Sequence, residues 1–182
     1  GAATTSGVLE DAAVPFGKSR NGMILGSGAA AFVVEAGGLC AERGLRPLSR
    51  VVATHIGNSA FHATRLEPNT IREAFRGVTD ALSEYSGLSR AELAQELVFM
   101  SHETYTPARG GSSAAEVDAL RYAFERAAPN VLIANTKGFT GHPMGATLED
   151  AVLMKALQRG YCPPVANLLD CLLYTSDAAD ES

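Results

Sequence analysis

The stretch from Val131 to Ala146 constrains this chain more than any other. Val131-Leu132-Ile133-Ala134 is a short apolar run with β-branched members, the pattern of a buried strand. Asn135-Thr136-Lys137-Gly138 follows, then a glycine-flanked turn that holds His142. Met144, Leu148, Val152, Leu153 and Leu157 then recur at helical spacing. A strand that ends in a lysine and a histidine just before a helix N-terminus is a place where chemistry often sits. Strand carboxyl ends in α/β sheets open onto ligand crevices, and helix N-termini favour developing negative charge. Gly141 and Gly145 let the backbone approach a substrate closely.

A second strand-plus-histidine unit precedes it. Leu97–Ser101 is apolar and delivers His102, followed by Glu103-Thr104-Tyr105-Thr106-Pro107. Ser113-Ala114-Ala115-Glu116 has the spacing of a capping box, and Val117, Leu120 and Phe124 line the inner face of the predicted helix. Pro129 and Asn130 end that helix and lead into the Val131 strand.

The remaining chain is a small and polar opening, Gly1 to Lys18, then a glycine-rich loop, Val14 to Ala29, leading into a predicted strand at Ala29–Glu35. A short helix over Gly37–Arg43 stops at Gly44, and a strand runs over Ser49–Ile56. Pro68 opens a longer helix on Ile71, Phe75, Val78 and Leu82 that ends near Gly87. Ser89 to Glu92 is a capping box for a helix reaching about Glu96. The order is strand–helix–strand–helix–helix–strand–helix–strand–helix.

Charge and cysteine usage exclude several functions. At −5 and a pI of about 5.4, the 182 residues lack the basic footprint nucleic acid requires. No apolar run approaches the ~20 residues of a membrane span. Cys40, Cys162 and Cys171 form no C-x-x-C pair, so neither a disulfide framework nor a metal site is indicated, and a cytoplasmic setting fits. Cys40, within a helix, reads as a small core residue. His55 and His62 have no carboxylate or cysteine at ligand spacing and read as structural or surface residues.

Lys137 to Ala146 resembles the Lys-x-x-x-Gly-His-x-x-Gly-Ala signature of β-ketoacyl synthases. Two more stretches are similar to that family in the right order. His102-Glu103-Thr104-Tyr105-Thr106 matches its His-Gly-Thr-x-Thr loop, with Glu103 in place of glycine and a longer stretch before the matching acid, Glu116. Pro15-Phe16 to Ala29 matches its glycine-rich loop, with Gly17, Asn21 and Ser27 in place of acids. Pro163-Pro164-Val165-Ala166-Asn167-Leu168 is similar to a further turn of the family.

The resemblance implies a thiolase-like layered α-β-α fold, here incomplete and mostly its C-terminal half. It implies a partial synthase domain of a type I polyketide or polyunsaturated fatty-acid type over residues 1–170. Residues 171–182 resemble a translated sequencing adaptor and are set apart as a non-native tail. The implied reaction is decarboxylative condensation of malonyl and acyl thioesters. His102 and His142 would donate to the enolate oxygen and Lys137 would orient the site, paired with Glu116. Thr104, Thr106 and Gly141 would support it. The family's cysteine lies upstream of the loop at Val14, so no nucleophile is expected in this chain, nor activity from it alone. No cofactor is implied beyond the phosphopantetheine carried by an acyl carrier protein partner, and the parent would be a homodimer. Two other readings stay open: a non-condensing relative, such as a chain-length factor or malonyl decarboxylase, and a non-enzymatic α/β binding module.

Overall fold

The structure, a computed structural model, describes residues 3–60, 66–106, 112–143 and 145–168. Its frame is a β–α–β unit. Strand β1 (Val98–Met100) and strand β2 (Leu132–Ala134) pair in parallel, with Val98 opposite Leu132, Phe99 opposite Ile133 and Met100 opposite Ala134. Parallel neighbours need a long crossover between them. Here it is helix α5 (Ser112–Phe124) followed by a 3-10 turn, Glu125–Asn130, that carries Pro129. Both strands therefore finish at the same edge, and the residues just beyond them, 101–102 and 135–137, become spatial neighbours.

Three helices cover the pair. Helix α3 (Pro68–Ser86) begins where the Glu67 carboxylate accepts from the Asn69 and Thr70 amides, with Pro68 supplying a preset φ. It ends at Gly87, whose φ of 72° suits glycine. Helix α4 (Arg90–Glu96) starts at the predicted capping box, with Ser89 and Glu92 bonded reciprocally. Leu93, Ala94, Leu120, Ala123, Phe124 and Val131 form the buried core, with Phe75, Phe99 and Ile133 packed against it. Phe75 and Phe99 sit ring to ring at 5.2 Å. Arg72 of α3 grips Asp118 of α5 through two bonds of 2.6 and 2.7 Å.

Helix α7 (Thr147–Arg159) reaches β1 and ends at Gly160, φ 62°. It starts three residues after Met144, which lies outside the described residues. Leu157 is exposed, and the buried positions are Glu149 and Ala156. A helical turn that the spacing did not predict, α6 (Lys137–Thr140), stands between β2 and the His142 turn.

Several expectations need correction. Ala29–Glu35 and Ser49–Ile56 form no strand. They are largely exposed, with Val33 89%, Val34 77% and Ile56 97% open. Their β-branched residues supply propensity, but a strand exists only as part of a ladder, and no described segment pairs with them. The opening segment is not merely polar. A helical turn, α1 (Leu9–Ala12), leads into buried Ala12, Ala13, Val14 and Phe16, and Asn167 of the C-terminal turn donates to the Ala13 carbonyl at 3.0 Å. Helix α2 (Gly37–Glu42) buries none of its residues, so Cys40 is not a core residue. Ser113 and Glu116 do not form a capping box, because Glu116 turns inward and the Ser113 amide donates to Glu103. His62 and the 171–182 tail lie outside the described residues.

Candidate active site

The glycine-rich loop is the platform of the site. The His142 amide donates to the Ile24 carbonyl at 2.8 Å, and the Gly26 amide donates back to the His142 carbonyl at 3.0 Å. A Cβ at Gly26 would run into the Thr140 carbonyl, and one at Gly141 (φ 66°) would fall 2.9 Å from Gly26, so the two chains touch backbone to backbone only because both residues lack side chains. Upstream, the Gly22 amide donates to the Tyr105 carbonyl at 3.0 Å. The loop that the sequence presented as a connection into a strand thus clasps both histidine segments.

On this platform the structure brings three of the expected residues together. The His102 and His142 rings lie 5.1 Å apart, edge to face at 81°. The Lys137 Nζ is 3.4 Å from His102 Nδ1. Lys137 is fully buried and ion-paired with Glu149, itself 5% exposed. Here the expected pairing with Glu116 is corrected: Glu149, in the first turn of α7, takes that place. Lys137 and Glu149 sit on different helical segments joined by the His142 turn, so no local spacing signals the pair.

Glu116 holds backbone instead. One carboxylate oxygen accepts from the His102 amide at 2.7 Å and the other from Ser101 Oγ at 2.5 Å. Burial pushes its carboxyl from the ordinary 4.5 up to about 7, with Glu103 adding to the rise and the Ser101 and His102 donors opposing it. Asn135 was also missed. Its side chain is 1% exposed, accepts from the Lys137 amide at 2.9 Å and donates to the Ser101 and Glu103 carbonyls, lacing the end of β2 to the end of β1. Thr104 and Thr106 pair hydroxyl to hydroxyl at 3.3 Å beside the histidine loop, and Gly141 donates to the Lys137 carbonyl at 2.8 Å.

Both imidazoles titrate below their ordinary value. Burial is the larger cause for each, and the Lys137 charge adds to it, while Glu149 opposes. His102 is exposed as a residue, yet the protein packed around its ring still makes desolvation the leading cause. The rings are consequently neutral near pH 7. A buried ammonium can only donate, so it meets His102 Nδ1 as an acceptor, which leaves the ring proton on Nε2. Among the described residues no group of three or more His, Cys, Asp or Glu could hold a metal ion. No described helix is long and apolar enough to cross a membrane.

No protein-family model matches the chain. Individual proteins do. It is 31% identical over 163 residues to a 3-oxoacyl-[acyl-carrier-protein] synthase 2 of Coxiella burnetii, covering 87% of this chain and 37% of that protein. It is 28% identical over 155 residues to a tetracenomycin polyketide synthase ketoacyl synthase alpha subunit of Streptomyces glaucescens, covering 84% of this chain and 34% of the relative. The chain is a homologue of the β-ketoacyl synthases. Solved structures agree in fold. The ishigamide ketosynthase/chain length factor superposes with a TM-score of 0.74 at 22% identity, covering 93% of this chain and 39% of the other. A type II ketosynthase in complex with its acyl-carrier protein superposes with a TM-score of 0.70 at 18% identity, covering 92% and 42%. The thiolase-like fold of the β-ketoacyl synthases therefore accounts for the paired parallel strands and their helices. The chain spans a little over a third of the length of the curated relatives it matches.

Proposed function

We propose that this chain is part of a β-ketoacyl synthase that condenses malonyl and acyl thioesters, and that His102 and His142 donate to the enolate oxygen formed when the malonyl group loses carbon dioxide. The observation that carries the reading is the pair of neutral imidazoles, 5.1 Å apart, beside a buried lysine. Decarboxylation leaves two electrons on carbon and a charge on the thioester oxygen, and preorganised N–H donors stabilise such an oxyanion. Neutral rings can donate from Nε2 without exchanging a proton. Lys137 holds His102 in the tautomer that does so.

Condensation also needs a thiolate to carry the acyl chain. Burial pushes the thiols of Cys40 and Cys162 up, and Glu35 adds to the rise at Cys40, the opposite of what a nucleophile requires. The proposal assigns that thiolate to a part of the protein beyond these residues. The thioesters would arrive on the phosphopantetheine of an acyl carrier protein, with no cofactor resident in the chain. Homodimeric assembly and a cytoplasmic setting belong to the same proposal, the latter in keeping with the free cysteines Cys40 and Cys162 among the described residues. Residues 171–182 are proposed to lie outside the domain.

A full-length hybrid tests the reading, with this chain in place of the matching portion of the Coxiella burnetii relative. It should decarboxylate malonyl thioester and transfer acyl groups. Decarboxylation without condensation, while the relative's own cysteine is acylated, would favour the non-condensing reading. No decarboxylation from a folded hybrid would sink both.

A further inference from the structure

Glu103 is fully buried, and an ionised carboxylate in that position is costly unless it is met by donors and positive charge. Here it is met on every side. Oε1 accepts from the Tyr105 amide at 3.0 Å, and Oε2 accepts from the Ser113 amide at 2.9 Å and from Ser112 Oγ at 2.8 Å. The Arg20 Nε lies 3.8 Å from Oε1. The Glu103 backbone is engaged as well: its amide donates to Ser101 Oγ at 2.9 Å, and its carbonyl accepts from Asn135 at 3.0 Å. These partners belong to the ends of both strands, the first turn of α5 and the glycine-rich loop, which are the elements that carry the site.

Tyr105 is the second part of the device. Its φ is 48°, a left-handed conformation that is uncommon for a bulky residue, and such strain persists only where surroundings over-determine it. Three bonds do so. The amide goes to Glu103, the carbonyl accepts from Gly22, and the buried hydroxyl donates to the Lys137 carbonyl at 2.9 Å.

We propose that Glu103 is a positioning residue for the two-imidazole site: its carboxylate seats Tyr105 in the left-handed conformation, and Tyr105 in turn fixes Lys137 against His102. The proposal deepens the function given above and takes its catalytic meaning from it, but its geometry can be tested alone. A glutamate here serves as a strut between two histidine segments.

The test is nitrogen-detected imidazole NMR on the 182-residue chain, comparing the native protein with Glu103→Ala, Glu103→Gln, Tyr105→Phe and the Glu103→Ala/Tyr105→Phe pair. Natively, His102 should show the Nε2–H tautomer and a depressed midpoint. Glu103→Ala should mix the tautomers and raise the midpoint towards the ordinary imidazole value. Glu103 is not among the charges that shift His102, so a change there reports position. Glu103→Gln keeps one acceptor oxygen and should fall between. Tyr105→Phe should reproduce the change with Glu103 intact, and the double variant should add nothing further, since both lie on one path. A native tautomer and midpoint in Glu103→Ala, or in Tyr105→Phe, with helix content retained, overturns the proposal. If Glu103→Ala does not fold, native behaviour in Glu103→Gln and Tyr105→Phe overturns it. A hybrid that fails to decarboxylate although His102 keeps its tautomer counts against the function and leaves the strut standing.

Discussion

His102 and His142 meet edge to face at 5.1 Å although they stand 40 positions apart in the chain. The parallel strands end at one edge, which places His102 just past β1; the turn at Lys137–Thr140 carries the chain on from β2, and backbone bonds to Ile24 and Gly26 hold His142 against it. The rest of the site, Lys137 below and the glycine-rich loop beside it, is arranged around that pairing.

If both rings donate to one oxyanion, removing either should cost what a lost oxyanion donor costs. We expect His102→Ala and His142→Ala in the hybrid each to slow malonyl-thioester decarboxylation by roughly 10²–10³, with acylation of the cysteine largely intact. His55→Ala and His62→Ala should do little. A silent His142→Ala, or a His62→Ala equally damaging, means the donors are misassigned.

Cys40 and Cys162 should be poor nucleophiles. Their thiols are both pushed up, so the thiolate fraction at neutral pH falls below that of a free cysteine. Mass spectrometry after exposure to an acyl thioester or a thiol-directed synthase inhibitor should show neither modified faster than free thiol. Rapid, selective labelling of either would place the nucleophile within this chain.

What the sequence disclosed, and what it hid, divides along one physical line. Local signals were sound: Pro68 and Gly87 bound a helix, Ser89 and Glu92 cap another, and the apolar runs at Val98 and Leu132 became the paired strands. The partners of charged groups were not legible. Lys137 chose Glu149 over Glu116 because the turn at Lys137–Thr140 aims it at α7, and a turn of four residues has too little periodicity to show. Glu103 read as a departure from a glycine position and proved to be a hub. Ala29–Glu35 and Ser49–Ile56 carried strand propensity without a described partner, which local pattern cannot foresee.

Stability should fall as pH rises through the titration of Glu116. Its folded carboxyl is held at about 7 against an ordinary 4.5, chiefly by burial. A raised folded value favours the protonated form, so the contribution is full below 4.5 and is lost as pH climbs towards and past 7. That displacement corresponds to about 3 kcal/mol. Urea unfolding of the chain should therefore show greater stability at pH 5 than at pH 8, and Glu116→Gln should flatten the profile in that window. A profile unchanged by Glu116→Gln would assign the dependence elsewhere.

Lys137 and Glu149 offer the sharpest separation of stability from electrostatics. Both are buried, so removing one leaves the other's charge without compensation, at about 3–5 kcal/mol. Lys137→Met should thus destabilise the chain strongly in denaturant unfolding, and Lys137→Met/Glu149→Gln should recover much of the loss. The histidines should respond differently. The Lys137 charge depresses both imidazoles and Glu149 opposes it, so Lys137→Met should raise both midpoints. In the double variant the two charges leave together, and burial, the larger cause for each ring, remains. Both midpoints should then stay below the ordinary value while His102 loses its fixed tautomer. Midpoints that return fully to the ordinary value in the double variant, in a chain that still folds, would show that charge rather than burial keeps the imidazoles neutral.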